Sequence, residues 1–265
     1  MTTLKAAFDG KKALITYITA GDPDMETTGY LLRLLDREGV DILEVGIPFS
    51  DPLADGPVIQ QAGQRALAGG ATLKKILGML AGLRGAISAP IALMGYMNPI
   101  IAYGLEQFAA DAADAGAAGV IVPDLPFHQS EPLASLLRKK GIDLILMVTP
   151  NTTSERLGDI AARASGFLYC VSRLGVTGDA RTGEAPLKDY IGRVRSHTSL
   201  PLALGFGVNG PEKARLAARV ADGVVVGSAL ISLLHPCGAD RARLEAAASG
   251  FVRSLREAVD GVCAD

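Results

Sequence analysis

Short apolar runs alternate along the chain with longer stretches whose apolar residues recur at helical spacing. The runs cover 13–19, 41–48, 90–97, 119–124, 143–149, 167–173, 201–208 and 223–227. Most are apolar at consecutive positions, as strands buried on both faces of a parallel sheet are. The stretches between them predict helices over 25–38, 73–84, 105–115, 130–140, 154–164, 187–196 and 212–220, and an eighth helix over 240–259 follows the last run. Gly39, Gly116 and Gly141 stand between a helix and the next strand, where a helix C-terminus favours glycine. Residues 4–8 predict a short extra helix that closes the barrel bottom. Eight strands, each followed by a helix, in about 250 residues match an α/β chain folded as a (β/α)8 TIM barrel. The alternative is a doubly wound open sheet, which uses fewer strands and leaves two exposed edges. No low-complexity or Pro/Ser-rich linker divides the chain, so residues 1–265 read as a single domain.

Composition narrows the function classes. Hydrophobic residues make up 49% of the chain, enough for a large core, and 26 basic residues nearly balance 28 acidic ones. That balance offers neither a basic patch for nucleic acid nor a polybasic run for a membrane surface. The apolar runs are of strand length, far short of the roughly 20 residues that span a bilayer. The N-terminal ten residues contain no apolar signal region. Cys170, Cys237 and Cys263 are scattered and odd in number, so the expected compartment is the reducing cytoplasm.

Barrel enzymes carry their chemistry at the C-terminal ends of the strands. Along the second run, alternation sends Leu43, Val45 and Ile47 toward the helices and Ile42, Glu44 and Gly46 into the barrel. An ionised carboxylate in that interior is unfavourable unless it is paired or functional. Glu44 is thus either a structural acid satisfied by an arginine or hydroxyls, or a catalytic one. The following loop, 49–57, adds Asp51 and Asp55 among prolines and glycines. Turn formation accounts for either aspartate alone, and function for two acids in one long loop at the site end.

A phosphate signal is separate from these acids. GFGV follows at 205–208, and the eighth run leads through Gly227 into Ser228, which can start a short helix. Glycines let an anion approach the backbone, and the loops after strands seven and eight are the usual phosphate position in this fold. GVTG at 175–178 is a third contributor. Tight barrel turns are the structural alternative for each motif singly. No Lys falls in a strand or just beyond its end, apart from Lys188, which argues against Schiff-base chemistry. Of His128, His197 and His235, only His128 is placed near the site, without a second His at ligand spacing, so no catalytic metal is expected. No GxGxxG follows a strand, so no dinucleotide is implied.

The run LEVGIPFSDPLADGP at 43–57 resembles the signature of the tryptophan synthase alpha chain family. Further motifs extend the resemblance over nearly the whole chain: TAGDP at 19–23, YMN at 96–98, PDLP at 123–126, SRLGVTG at 172–178, GFG at 205–207 and GS at 227–228. The resemblance implies a retro-aldol cleavage of indole-3-glycerol phosphate to indole and D-glyceraldehyde 3-phosphate. It implies Glu44 as the proton shuttle, Asp55 at the indole ring N–H, and Thr177 bonding Asp55 when a lid closes. Tyr17, Met94, Ile121, Tyr169, Phe206 and Val225 would hold the indole, and Gly178, Gly207, Gly227 and Ser228 the phosphate. Each of the six apolar residues is otherwise plain barrel core. The resemblance implies no cofactor on this chain, pyridoxal phosphate being carried by a partner beta chain in an alpha2-beta2 assembly. Docking is expected at 51–56, 98–104 and 126–131 through Leu53, Pro99, Ile100, Tyr103 and Phe127. Leu174 and Phe167 depart from residues that some relatives carry. Another sugar-phosphate isomerase or epimerase barrel and a purely regulatory subunit are the competing readings.

Overall fold

The computed structural model describes residues 3–172, 184–205 and 207–262. Eight parallel strands, β1 (Ala13–Thr19), β2 (Ile42–Gly46), β3 (Ile91–Met94), β4 (Ala117–Ile121), β5 (Asp143–Val148), β6 (Leu168–Val171), β7 (Leu202–Gly205) and β8 (Gly223–Val226), pair in chain order. β8 returns to β1, with Val225 opposite Ile15, and the sheet is a closed (β/α)8 barrel. The helices are α1 (Met25–Arg37), α2 (Pro57–Ala68), α3 (Leu73–Ala81), α4 (Met97–Tyr103), α5 (Leu105–Asp114), α6 (Glu131–Lys139), α7 (Ser154–Arg163), α8 (Glu184–Arg195), α9 (Pro211–Val220), α10 (Ser228–Leu234) and α11 (Arg241–Asp260).

Local chemistry accounts for many boundaries. Asp24 caps α1 by accepting the Thr27 N–H at 2.7 Å, and Thr72, Thr153 and Asp240 cap α3, α7 and α11 in the same way. Gly39, Gly116 and Gly141 all have positive φ, the left-handed turn that ends a helix. Strand alternation then divides the core into two layers. Leu43, Val45 and Leu93 belong to the layer between strands and helices, whereas Ile15, Ile42, Ala92, Ile121 and Ile145 fill the barrel interior. At the N-terminal end the interior is plugged by Leu4 and Phe8, from the 3-10 turn Lys5–Phe8, and Phe8 packs 5.5 Å from Phe167.

Several expected boundaries shift. β2, β3, β7 and β8 are shorter than their apolar runs, which continue into Pro- or Gly-containing segments beyond the ladder. β4 begins two residues earlier than expected, at Ala117, and ends at Ile121, after which Leu125 N–H turns back to the Val122 carbonyl at 3.1 Å. α2 had no counterpart in the sequence pattern. Its buried face is built from Ala62, Gly63 and Ala66, too small to register as an apolar stripe. The expected docking loop at 98–104 is largely helix α4, and Met97 starts that helix rather than ending β3. Helical rotation turns Ile100 into the core at 1% exposure and leaves Ile101 outward at 59%, so Ile101 takes the surface place expected for Ile100.

Candidate active site

Glu44 lies mid-way along β2, opposite Tyr17 of β1 and Ala92 of β3, and points into the barrel. It is 1% exposed, and its Oε2 has no hydrogen-bond partner. No arginine or lysine pairs with it among the described residues, so the structural alternative of a satisfied core acid does not hold for this oxygen. Burial, assisted by repulsion from Asp55, pushes its pKa up to about 8.

Asp55 reaches the same space from the loop between β2 and α2. Two successive turns shape that loop: Leu53 N–H donates to the Asp51 carbonyl at 3.0 Å and Asp55 N–H to the Pro52 carbonyl at 3.1 Å. Tyr96, just beyond β3, accepts the Ala54 N–H at 3.0 Å, and Gln60 of α2 donates to the Asp55 carbonyl at 2.9 Å. The acid is therefore held from two neighbouring elements. Burial raises its pKa to about 6, against a hydrogen bond from Tyr96 that lowers it. Asp51, the other acid of the loop, is exposed and does not reach the cavity.

The two carboxylates open onto a cavity of about 200 Å³ at the C-terminal end of the barrel. Tyr17, Met94, Tyr169 and Val225 line it from the strands, and Ile59 lines it from α2. The two tyrosines fit because glycine stands on the adjoining strand. A Cβ built at Gly46 would fall 2.0 Å from the Tyr17 hydroxyl, and one at Gly205 would fall 2.6 Å from that of Tyr169. At the far end of the cavity, Gly207, Val208 and Asn209 after β7 meet Gly227, Ser228 and Ala229 after β8. Gly207 has φ +81°, a conformation that glycine alone adopts without strain.

The structure thus gathers Tyr17, Glu44, Asp55, Met94, Tyr169, Gly207, Val225, Gly227 and Ser228 around one space. Ile121 is fully buried in the interior layer and does not reach the cavity wall. Thr177, Gly178 and Phe206 lie outside the described residues. His128 is exposed on a 3-10 turn, against Phe127, and is not on the cavity wall. Lys213, in the first turn of α9, does line the cavity, so a lysine reaches the site from a helix although none lies in a strand or just beyond its end. The signal for it was the Gly210-Pro211 helix start shortly after β7, which brings that first turn to the barrel mouth. Ile59 had a similar signal in Gly56-Pro57. A larger hollow, about 560 Å³, opens at the opposite end between α3 and the starts of β3 and β4, but no carboxylate lines it.

The model of the tryptophan synthase alpha chain family matches residues 3–260. The chain is 48% identical to the tryptophan synthase alpha chain of Petrotoga mobilis, covering 97% of this chain and 99% of that one. It is 45% identical to the alpha chain of Geotalea uraniireducens, over 98% and 97% of the two chains. This chain belongs to the tryptophan synthase alpha chain family. Members are carbon–carbon lyases that cleave indole-3-glycerol phosphate in tryptophan biosynthesis. The fold agrees closely with solved members. The tryptophan synthase alpha subunit of Legionella pneumophila superposes with a TM-score of 0.90 at 38% identity, covering 98% and 99% of the chains. A chain of M. tuberculosis tryptophan synthase superposes at 0.84 and 32% identity, covering 96% and 100%.

The electrostatics of this alpha chain separate its two acids. Near pH 7 the more deeply buried Glu44 keeps its proton while Asp55 is mostly ionised, so a proton donor and an anion face one cavity. Among the described residues no group of three or more His, Cys, Asp or Glu side chains could hold a metal ion. No helix among them is long and apolar enough to cross a membrane.

Proposed function

We propose that the chain, acting as one domain, cleaves indole-3-glycerol phosphate to indole and D-glyceraldehyde 3-phosphate, with Glu44 as acid and then base and Asp55 as electrostatic partner. Protonated Glu44 gives its proton to ring carbon 3. Positive charge then develops at the ring N–H, where ionised Asp55 stabilises it. The Glu44 carboxylate takes the proton of the hydroxyl on the side-chain carbon attached to the ring. That carbon becomes the aldehyde as its bond to carbon 3 breaks, and the bonding pair restores the aromatic ring. Glu44 ends the cycle protonated as it began, so one residue serves both transfers. Tyr17, Met94, Tyr169 and Val225 flank the flat ring, with Phe206 as a further contact by resemblance. Gly207, Gly227 and Ser228 receive the phosphate, with Gly178 joining them and Thr177 holding Asp55. The observation that carries this reading is the buried, unpartnered oxygen of Glu44 beside a second carboxylate in one cavity. A competing sugar-phosphate isomerase would place its acid and base on opposed strands, whereas both acids here come from β2 and its own loop.

Indole release from indole-3-glycerol phosphate by the isolated chain tests the proposal. Glu44→Gln is expected to lower turnover about a thousandfold while glycerol phosphate still binds. Retention of most of the turnover by that variant would remove Glu44 from the chemistry.

A beta chain that carries pyridoxal phosphate is the proposed partner, in a cytoplasmic alpha2-beta2 assembly docked at the site end. Leu53 supports this, being 94% exposed in the Asp55 loop, and Ile101 of α4 is a second exposed apolar side chain. Tyr103 and Phe127 are weaker candidates. Tyr103 donates to Asp111 at 2.5 Å, and Phe127 is half-buried beneath Arg156 and Arg163. Adding the cognate beta chain should raise indole release, and Leu53→Asp should blunt that rise without impairing the isolated chain.

A further inference from the structure

We propose that Lys213 is the cationic contact for the substrate phosphate and sets the preference of this cavity for phosphorylated ligands. The inference rests on the reading of the cavity as the substrate site. Lys213 is half-buried in the first turn of α9 and shares the cavity wall with Gly207, Asn209, Gly227 and Ser228. Glu44 and Asp55 are the carboxylates on that wall, and Lys213 is its cationic side chain among the described residues.

Charge bookkeeping explains why a lysine is needed there. A phosphate monoester carries between one and two negative charges near pH 7, and Asp55 adds another at the same cavity. Glycine backbones supply N–H dipoles but no net charge. A cation at the phosphate end offsets this repulsion and leaves Asp55 free to act at the other end of the ligand. Glycerol phosphate in the cavity would place its anion beside this ammonium and the N-terminal turn of α9.

Titration calorimetry of the full chain with glycerol 3-phosphate and, separately, with uncharged indole tests the assignment. For Lys213→Gln, the expected result is roughly tenfold weaker binding of glycerol 3-phosphate, with indole affinity unchanged. The affinity of the parent for glycerol 3-phosphate should fall more steeply with added salt than that of the variant. Lys213→Arg, which keeps the charge, should bind within about twofold of the parent. In turnover, the loss in Lys213→Gln should appear mainly in KM. Equal glycerol 3-phosphate affinities in parent and Lys213→Gln would overturn the assignment while leaving the cavity reading intact. Equal losses for glycerol 3-phosphate and indole would mark a distorted α9 and also overturn it. If the parent itself bound no glycerol 3-phosphate, the cavity reading and this inference would fall together.

Discussion

Asp41 stands just before β2 and Glu44 within it, three residues apart, yet their surroundings oppose each other. Asp41 accepts the Leu14 N–H at 2.7 Å, binds Arg256 at 2.5 Å and is paired with Lys11. At the same end of the barrel, Asp222 accepts the Leu202 N–H at 2.8 Å and pairs with Arg195. Glu44 is at least as buried and has an oxygen with no partner. The packing differs in the same direction. Leu4, Phe8 and Phe167 fill the N-terminal end, whereas the C-terminal end keeps an open cavity. The carboxyl groups of Asp41 and Glu44 are both largely buried, so what separates the two acids is their partners.

The comparison predicts stability effects of opposite sign. In the folded chain Glu44 holds its proton up to about pH 8, whereas the unfolded chain releases it near 4.5. Between those values unfolding releases a proton, so the contribution of Glu44 to stability falls as pH rises from 4.5 to 8. Glu44→Gln should accordingly stabilise the chain at pH 8, on the order of 4 kcal/mol, and change little at pH 4.5. Urea unfolding at the two pH values measures this, and a destabilised variant at pH 8 would contradict the uncompensated state of Glu44. Asp41→Asn should instead destabilise by about 3 kcal/mol, because Arg256 and Lys11 lose their charge partner, with turnover retained.

Glycines at the two ends sharpen the contrast. Gly46→Ala drives a Cβ into Tyr17, and Gly223→Ala drives one to 2.7 Å from Phe8. Each should lower stability by about 2 kcal/mol in thermal or urea unfolding. Only Gly46→Ala should also raise KM, because Tyr17 walls the cavity and Phe8 does not. Equal kinetic damage from both would dissolve the distinction between the two ends.

The smallest effect concerns pH dependence. Turnover should rise as Asp55 ionises near pH 6 and fall as Glu44 loses its proton near pH 8, the two limbs belonging to the interacting pair. Tyr96→Phe removes the hydrogen bond that lowers the Asp55 pKa, so the acid limb should move upward by less than about one pH unit. An unchanged acid limb in the pH–rate profile would show that Asp55 does not set it.

Much of this architecture was legible in the chain before any coordinates. Apolar runs at regular spacing demanded eight doubly covered strands, and alternation along 42–46 was enough to send Glu44 inward. Those readings succeeded because strand period and burial are local properties. Helix α2 escaped because small residues pack its buried face, and the docking role expected for Ile100 failed because a helix, not a loop, presents it to the core.

What the sequence by itself determined was the barrel, the inward face of Glu44 and the place of Asp55 in the loop after β2, because each follows from periodicity or from a contiguous motif. The tertiary structure alone decided which groups share the cavity. Tyr17 lies over Gly46, Tyr96 holds the Asp55 loop, Lys213 joins the glycines of two loops, and Glu44 is left without a partner for one oxygen. Those relations join strands and helices far apart in the chain, and whether a buried group is satisfied depends on closure of the whole barrel, which no local pattern encodes.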